Sequence, residues 1–225
     1  MKFAASYSGG KESNLAIHKA VLQGHEPIAL ITTFTTDADR SHSHGLSEEV
    51  LGSVSDALGI PLWLVKTSGE EYALNFERAL QRAMDNGAEA CVFGDVDIEG
   101  HLAWCTERCE AVGIKAMFPL WGKSRREVVY DLVDSGFVAN IATVNTEHLH
   151  DDILGKRLTK DLAEEIAEQG ACICGENGEY HTFVSSGPTF KYPVEFYFGE
   201  KAQSGHYTML PVINGKRAGA EPDAK

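Results

Sequence analysis

The chain has 225 residues, 43% of them hydrophobic and 24% charged, with a formal net charge of −13. That is enough chain for one large soluble domain, or one domain with a smaller appendage. The acidic balance excludes a general attraction for nucleic-acid backbones, which rests on Lys and Arg contacts, and no apolar run approaches the roughly 18 residues of a membrane-spanning helix. Met1–Tyr7 carries one positive charge and a short apolar stretch, which predicts a buried strand rather than a signal peptide and a cytoplasmic protein.

The first two thirds alternate strand and helix. Phe3–Tyr7 predicts a strand and Glu12–Gln23 a helix with Leu15, Ala16, Ala20 and Leu22 inward, ended by Gly24. Pro27–Phe34 is apolar and β-branched, a buried strand. Leu46, Val50, Val54 and Leu58 recur every four residues, a second helix stopped by Gly59. Leu62–Val65 is a third strand, Tyr72, Phe76, Leu80 and Ala83 mark a third helix, and Ala90–Phe93 is a fourth strand ending at Gly94-Asp95. This alternation predicts a parallel sheet with helices on both faces, in which ligands sit at the C-terminal strand ends. The loops Ser8–Lys11, Thr35–His44 and Gly94–Gly100 therefore become candidates.

From about Pro119 the pattern changes. A helix around Leu158–Ala167 leads into Cys172–Val184, and Tyr192–Phe198 and Gly205–Val212 read as strands. The expected organisation is an α/β domain over 1–118 with a smaller α+β region over 119–225, its tail 218–225 frayed. The aromatic C-terminal strands offer edges that could pair in a homodimer, although such edges are also managed within one chain.

The five cysteines are Cys91, Cys105, Cys109, Cys172 and Cys174. An odd count in a cytosolic chain argues against a disulfide framework. Cys105 and Cys109 would share a helix face and Cys172 and Cys174 a strand face, but neither pair has the spacing of a zinc knuckle. Lys123, Arg125 and Arg126, or Lys156 and Arg157, are either a local basic patch or solvated helix ends.

The sharpest local signal is Tyr7-Ser8-Gly9-Gly10-Lys11-Glu12-Ser13, between the first strand and the first helix. Two glycines let the backbone turn tightly around an oxyanion, the helix start presents N–H groups and a positive dipole end, Lys11 can neutralise phosphate charge, and Ser8 and Ser13 can donate hydrogen bonds. The spacing is neither a Walker A loop nor G-x-G-x-x-G; the alternative is a plain strand-to-helix turn. The stretch resembles the SGGxDS signature of the ATP pyrophosphatase (PP-loop) superfamily, adenine nucleotide alpha hydrolase-like proteins whose parallel α/β fold splits ATP into AMP and pyrophosphate. Glu12 stands where that motif has Asp, keeping the carboxylate with a longer reach.

The second signal is Gly175-Glu176-Asn177-Gly178-Glu179-Tyr180-His181-Thr182. Two carboxylates flank the turn former Asn-Gly, a composition able to hold a cation or ammonium or to act as acid or base; the alternative is a solvated hairpin turn. Together with Phe183-Val184, Ser186-Gly187-Pro188 and Phe190, this looks like the C-terminal signature of the diphthine–ammonia ligase family. Gly94-Asp95 with His101 and Trp104, Phe118-Pro119-Leu120-Trp121 and Leu154-Gly155 agree, so the resemblance runs from about Met1 to Phe190.

The resemblance implies ATP-dependent amidation. A carboxylate is adenylated and ammonium displaces AMP, with pyrophosphate released, Mg2+ bridging the phosphates, and an acceptor that is diphthine on elongation factor 2 or an unidentified carboxylate. It implies that Ser8, Gly9, Gly10, Lys11 and Ser13 hold the phosphates, that Glu12 or Asp95 meets magnesium, and that His44 and Gly94 lie within reach of the nucleotide. Glu176, Asn177, Gly178, Glu179 and Tyr180 would face the cleft and handle acceptor or ammonium, with His181 either a proton carrier or a packed imidazole. Trp104 and Trp121 are expected in the core. Two other classes stay open: a PP-loop enzyme modifying tRNA, which would favour paired catalytic cysteines and a basic RNA face, and a nucleotide-binding sensor without catalysis.

Overall fold

The computed structural model describes residues 1–35, 40–41, 45–67 and 69–215. In chain order the elements are β1 (Lys2–Ser6), α1 (Lys11–Leu22), β2 (Glu26–Thr35), β3 (Arg40–Ser41), α2 (Glu48–Leu58), β4 (Leu62–Thr67), α3 (Tyr72–Asp85), β5 (Ala90–Val92), α4 (Glu99–Val112), β6 (Lys115–Met117), α5 (Arg125–Asp134), β7 (Val138–Asn145), α6 (Lys160–Glu168), β8 (Tyr180–Ser186), β9 (Phe196–Phe198), β10 (Ala202–Ser204), β11 (Tyr207–Met209) and β12 (Val212–Asn214).

Five strands form a parallel sheet in the order β4-β2-β1-β5-β6, and β3 adds antiparallel to the last two residues of β2. Strand residues alternate between two cores because successive side chains point to opposite faces. Phe3, Ala5, Leu30, Phe34, Ala90 and Val92 join one apolar cluster. Ala4, Ala29, Ile31, Cys91 and Phe93 join the other, closed by Phe76, Ala79, Leu80 and Ala83 of α3 and Cys105 and Cys109 of α4. The first cluster continues through α1, α2, α5 and α6 into an antiparallel sheet, β10-β11-β7-β8. Helix α1 is thus packed on both sides. Leu15, Ala16, Ile17 and Ala20 are buried, while Leu22, expected inward, is 67% exposed at the helix end.

The parallel sheet and the smaller C-terminal α+β region match the expected fold class. The last strands do not match their expected spans. Tyr192–Glu195 is not strand, and Gly205–Val212 is broken by a turn at Gly205 and by Pro211, so that β11 pairs β10 and β7 whereas β12 pairs β9. Proline cannot donate to a ladder, and glycine with positive φ reverses the chain. All five cysteines are free. Cys105 and Cys109 do share a buried helix face, but Cys172 and Cys174 lie in a turn, not on a strand. The basic cluster is internally neutralised: Lys123 pairs with Asp131, Arg125 with Asp97 and Arg126 with Glu164. Trp104 packs on Tyr72 and Phe76, and Trp121 on Phe118. Among the described residues no helix is long and apolar enough to cross a membrane.

Candidate active site

A cleft of about 540 Å3 opens at the C-terminal ends of β1, β2 and β5, where the first turn of α1 meets the turn before β8. Strand order reverses between β2 and β5 on either side of β1, and such switch points are where open parallel sheets bind ligands.

One wall is the loop after β1. Gly9 has φ +84°, and a Cβ there would stand 2.5 Å from Leu46 Cδ1, so a side chain would be both strained and crowded. Gly10 begins α1 with no side-chain cap, an arrangement that keeps a helix N-terminus available to an anion. The loop is braced by its own hydroxyls: Ser8 Oγ accepts from Gly10 N (3.2 Å) and lies 3.2 Å from Ser13 Oγ, which donates to Gly10 O (3.1 Å). Behind it, Thr182 Oγ1 accepts from Lys11 N (3.1 Å) and Val184 N donates to Gly9 O (3.1 Å), tying the loop to β8. Thr32 Oγ1 donates to Tyr7 O (2.8 Å) from the side of β2. A Cβ on Gly94 would come within 2.9 Å of the Glu12 carbonyl carbon, so only glycine lets the end of β5 press so closely on the first turn of α1.

Lys11 is 4% exposed, with Nζ 2.5 Å from Glu12 Oε1 and 4.8 Å from the centre of the Tyr180 ring. Burial pulls its ammonium down, but the adjacent Glu12 carboxylate opposes this and Lys11 stays charged. Glu12 Oε1 is buried against the Lys11 ammonium, which is its partner. Asp95 lies beside His101 (Nδ1 to Oδ1 3.4 Å), and burial raises its carboxyl against the pull of that imidazole.

The opposite wall is the turn Gly175–Gly178. Glu176 faces the cleft. Burial raises its carboxyl to about 7, Glu12 and Asp95 push the same way, and Lys11 and Arg125 oppose them. Asn177 is fixed from outside by Arg125, whose Nη1 donates to Asn177 Oδ1 (3.1 Å) while Nε and Nη2 hold the two oxygens of Asp97 at 2.7 and 3.0 Å. This guanidinium links the loop after β5 to the turn before β8. His181 lines the cleft at the start of β8, its imidazole lowered by burial and by Lys11 and so neutral near pH 7; Tyr207 stacks near it at 6.5 Å.

Ser8, Lys11, Glu12, Ser13, Gly94, Asp95, Glu176, Asn177, Gly178, Tyr180 and His181 all border the cleft, while Gly9 and Gly10 shape the loop from behind. Two expectations need correction. Glu179 is turned away from the cleft: it is 5% exposed, and its carboxylate accepts from Cys172 N, Asn177 N and Asn177 Nδ2, each at 3.0 Å. Its charge organises the turn instead of meeting a ligand. Tyr180 presents only its ring, because its buried hydroxyl donates to Ile173 O (2.7 Å) and burial holds the phenol well above its ordinary range; it is not placed to exchange protons with a substrate. His44 lies outside the described residues. Sequence reasoning missed Thr32, Thr33, Tyr72 and Tyr207, which also line the cleft. Thr32 and Thr33 could have been found, since they lie near the C-terminal end of the strand before a candidate loop. Tyr207 could not, because it reaches the cleft only through the pairing of β11 with β7.

With that geometry in place, similarity to known proteins becomes informative. The chain is 26% identical over 214 residues to a diphthine–ammonia ligase of Schizosaccharomyces pombe, covering 85% of this chain but 35% of that one, so it spans about a third of the yeast protein. It is 25% identical to the diphthine–ammonia ligase of Danio rerio, covering 85% of this chain and 84% of that one. A solved structure described as a predicted subunit of tRNA methyltransferase from Methanocaldococcus jannaschii superposes with a TM-score of 0.47 at 18% identity, covering 86% of this chain and 100% of that one. The family model for the diphthamide synthase N-terminal domain matches residues 1–116 and that for the C-terminal domain residues 124–216, one for each wall of the cleft, and the chain belongs to the diphthamide synthase family.

Proposed function

We propose that this protein is an ATP-dependent ligase of diphthamide biosynthesis, forming an amide from the carboxylate of diphthine and ammonium and releasing AMP and pyrophosphate. The observation that carries the reading is the single cleft in which a phosphate-type loop with a buried, charged Lys11 faces Glu176 and Asn177 across a gap of substrate size. A carboxylate is a poor electrophile. Its attack on the α-phosphate of ATP forms an acyl-adenylate and releases pyrophosphate; ammonia then attacks the acyl carbon and AMP leaves. Holding the reactants together and stabilising developing charge supply the rate.

Lys11, Ser8 and Ser13 hold the phosphates, in a loop shaped by Gly9 and Gly10. Glu176, with a carboxyl near 7, takes a proton from ammonium as the amine becomes a nucleophile. His181, neutral and at the rim, orients the acceptor. Mg2+ fits the acidic side of the cleft, where the Glu12 and Asp95 carboxylates both line the cavity and supply the oxygen donors it prefers. Such an ion is held by one or two carboxylates plus substrate phosphates. When bound, it would neutralise phosphate charge. The test is product analysis. Incubation with ATP, Mg2+, ammonium and diphthine-bearing elongation factor 2 should yield AMP and pyrophosphate in step with amide, and each should fall when ammonium or the acceptor is withheld. Formation of ADP and phosphate would overturn the reading.

A further inference from the structure

We propose that Cys172 is a reactive, oxidisable thiolate that forms a reversible disulfide with Cys174 and thereby resets the turn carrying Glu176 and Asn177; the regulatory half of this rests on the function proposed above, the chemical half does not. The two sulfurs are already 3.7 Å apart. Gly175 N donates to Cys172 O at 2.9 Å, so residues 172–175 form a tight turn, and a turn of that kind keeps the two α-carbons within the span a disulfide tolerates.

The two thiols are unequal, as attacking and resolving thiols must be. Cys172 is half-buried and Cys174 fully buried. Arg125 Nη1 lies 3.1 Å from Cys172 Sγ, and backbone N–H groups of Cys174 and Glu176 also point at that sulfur. Hydrogen bonding from Cys174 leads these influences, which overcome burial and bring the Cys172 thiol down to about 5, while Cys174 is driven up. Asp97 holds the far side of Arg125 and the Glu179 carboxylate sits on Cys172 N, yet the guanidinium still reaches the sulfur. Cys91, Cys105 and Cys109 are buried in the opposite core, where burial raises the Cys91 and Cys105 thiols.

The step balances with a peroxide as oxidant. The Cys172 thiolate attacks one peroxide oxygen, the O–O bond breaks, and Cys172 becomes a sulfenic acid with loss of water or alcohol. The Cys174 sulfur then attacks the Cys172 sulfur, the S–O bond breaks, water leaves and the S–S bond forms. Closing 3.7 Å to a bond of about 2.05 Å withdraws the sulfur from Arg125, the residue that also holds Asn177.

Alkylation kinetics with iodoacetamide, read residue by residue by peptide mass, test the chemical half. In the whole native protein near pH 6.5, Cys172 should react about tenfold or more faster than any other cysteine, and Arg125→Ala should slow it severalfold. Limiting hydrogen peroxide should lower the intact mass by about 2 Da through one bond linking Cys172 and Cys174, absent in Cys172→Ser and reversed by dithiothreitol. Uniform alkylation rates, or oxidation spread over other cysteines, would overturn the thiolate assignment. AMP formation should fall on peroxide treatment of the wild type and not of Cys172→Ser; if the disulfide forms and turnover is unchanged, the regulatory claim is wrong while the thiol chemistry stands. A protein that makes no AMP at all, yet labels as expected, would instead remove the ligase reading.

Discussion

The two walls of the cleft are built by different means. The loop of Ser8–Ser13 takes its shape from adjacent residues, a strand, two glycines and a helix start braced by hydroxyls within five residues of one another, and distant residues such as Thr182 and Val184 only back it. The turn of Gly175–Gly178 depends on residues far away in sequence, with Arg125 reaching it from α5, Asp97 holding Arg125 from the loop after β5, and Glu179 folded under it. Substitutions in the first wall should therefore act on ATP, and substitutions in the second should divide between chemistry and turn geometry.

The largest effect expected is at Lys11. Lys11→Ala removes the positive charge that the loop's own side chains supply to a phosphate and leaves Glu12 without its ion-pair partner, so an unpaired carboxylate faces the triphosphate. Loss of a buried charge-assisted contact of this kind costs about 2–5 kcal/mol, or roughly 30- to 5,000-fold in kcat/KM for ATP. Isothermal titration with ATP and steady-state AMP release check it; unchanged ATP binding would mean that the first wall is not the phosphate site.

This difference between walls also decides what the sequence discloses. The phosphate loop is legible because its ingredients are adjacent: the glycines, Lys11 and the hydroxyls need no distant partner to be recognised. The second wall is legible as a turn rich in acids, but not in the roles of its members. Glu176 and Glu179 are chemically alike and three apart, and only the fold sends one into the cleft and the other beneath the turn. Tyr180 reads as a residue that handles the acceptor or ammonium until its hydroxyl is seen bound to Ile173 O. Arg125 reads as one of three basic residues at a helix start until Asp97 and Asn177 close on it. The parallel sheet itself follows from the alternation of apolar strands with four-residue helical repeats, whereas β9–β12 are too short for periodicity to separate one strand from two.

Glu176→Gln should rank next, and it sharpens the contrast because activity and stability should move in opposite directions. The native carboxyl titrates near 7 against 4.5 when exposed. Between those values the folded state holds more protons than the unfolded state, so this group's contribution makes the wild type less stable as pH rises from about 4.5 to 7. Glutamine cannot ionise. The variant should gain about 1–3 kcal/mol relative to wild type at pH 8 and little at pH 5, as read by urea unfolding at both values. Turnover should fall about 100-fold or more if Glu176 is the general base, and the wild-type rate should rise through pH 7 with a limb that the variant lacks. A variant that keeps that limb would assign the base elsewhere.

Glu179→Gln is the smallest of the three in turnover and the mirror image in stability. The Glu179 carboxylate is also desolvated, but donation from Asn177, from its own backbone and from Cys172 outweighs burial, so its carboxyl is lowered. The stability it contributes is present above the unfolded carboxyl value and is lost as pH falls through the lower folded one. Glutamine keeps one acceptor oxygen in place of two and adds an NH2 that faces donors. At least one of Cys172 N, Asn177 N and Asn177 Nδ2 would lose its partner, at about 1–3 kcal/mol. Unfolding midpoints at pH 7 should drop accordingly, and the difference from wild type should shrink toward pH 3. Because the residue shapes the turn without touching the reactants, kcat/KM for the acceptor should fall only about tenfold, through a raised KM with ATP affinity intact, and the pH limb near 7 should remain. Glu179→Asp, which keeps both oxygens, should recover part of the loss; if instead Glu179→Gln abolishes turnover at unchanged stability, the carboxylate enters the cleft during reaction and the two acids of the turn share the chemistry.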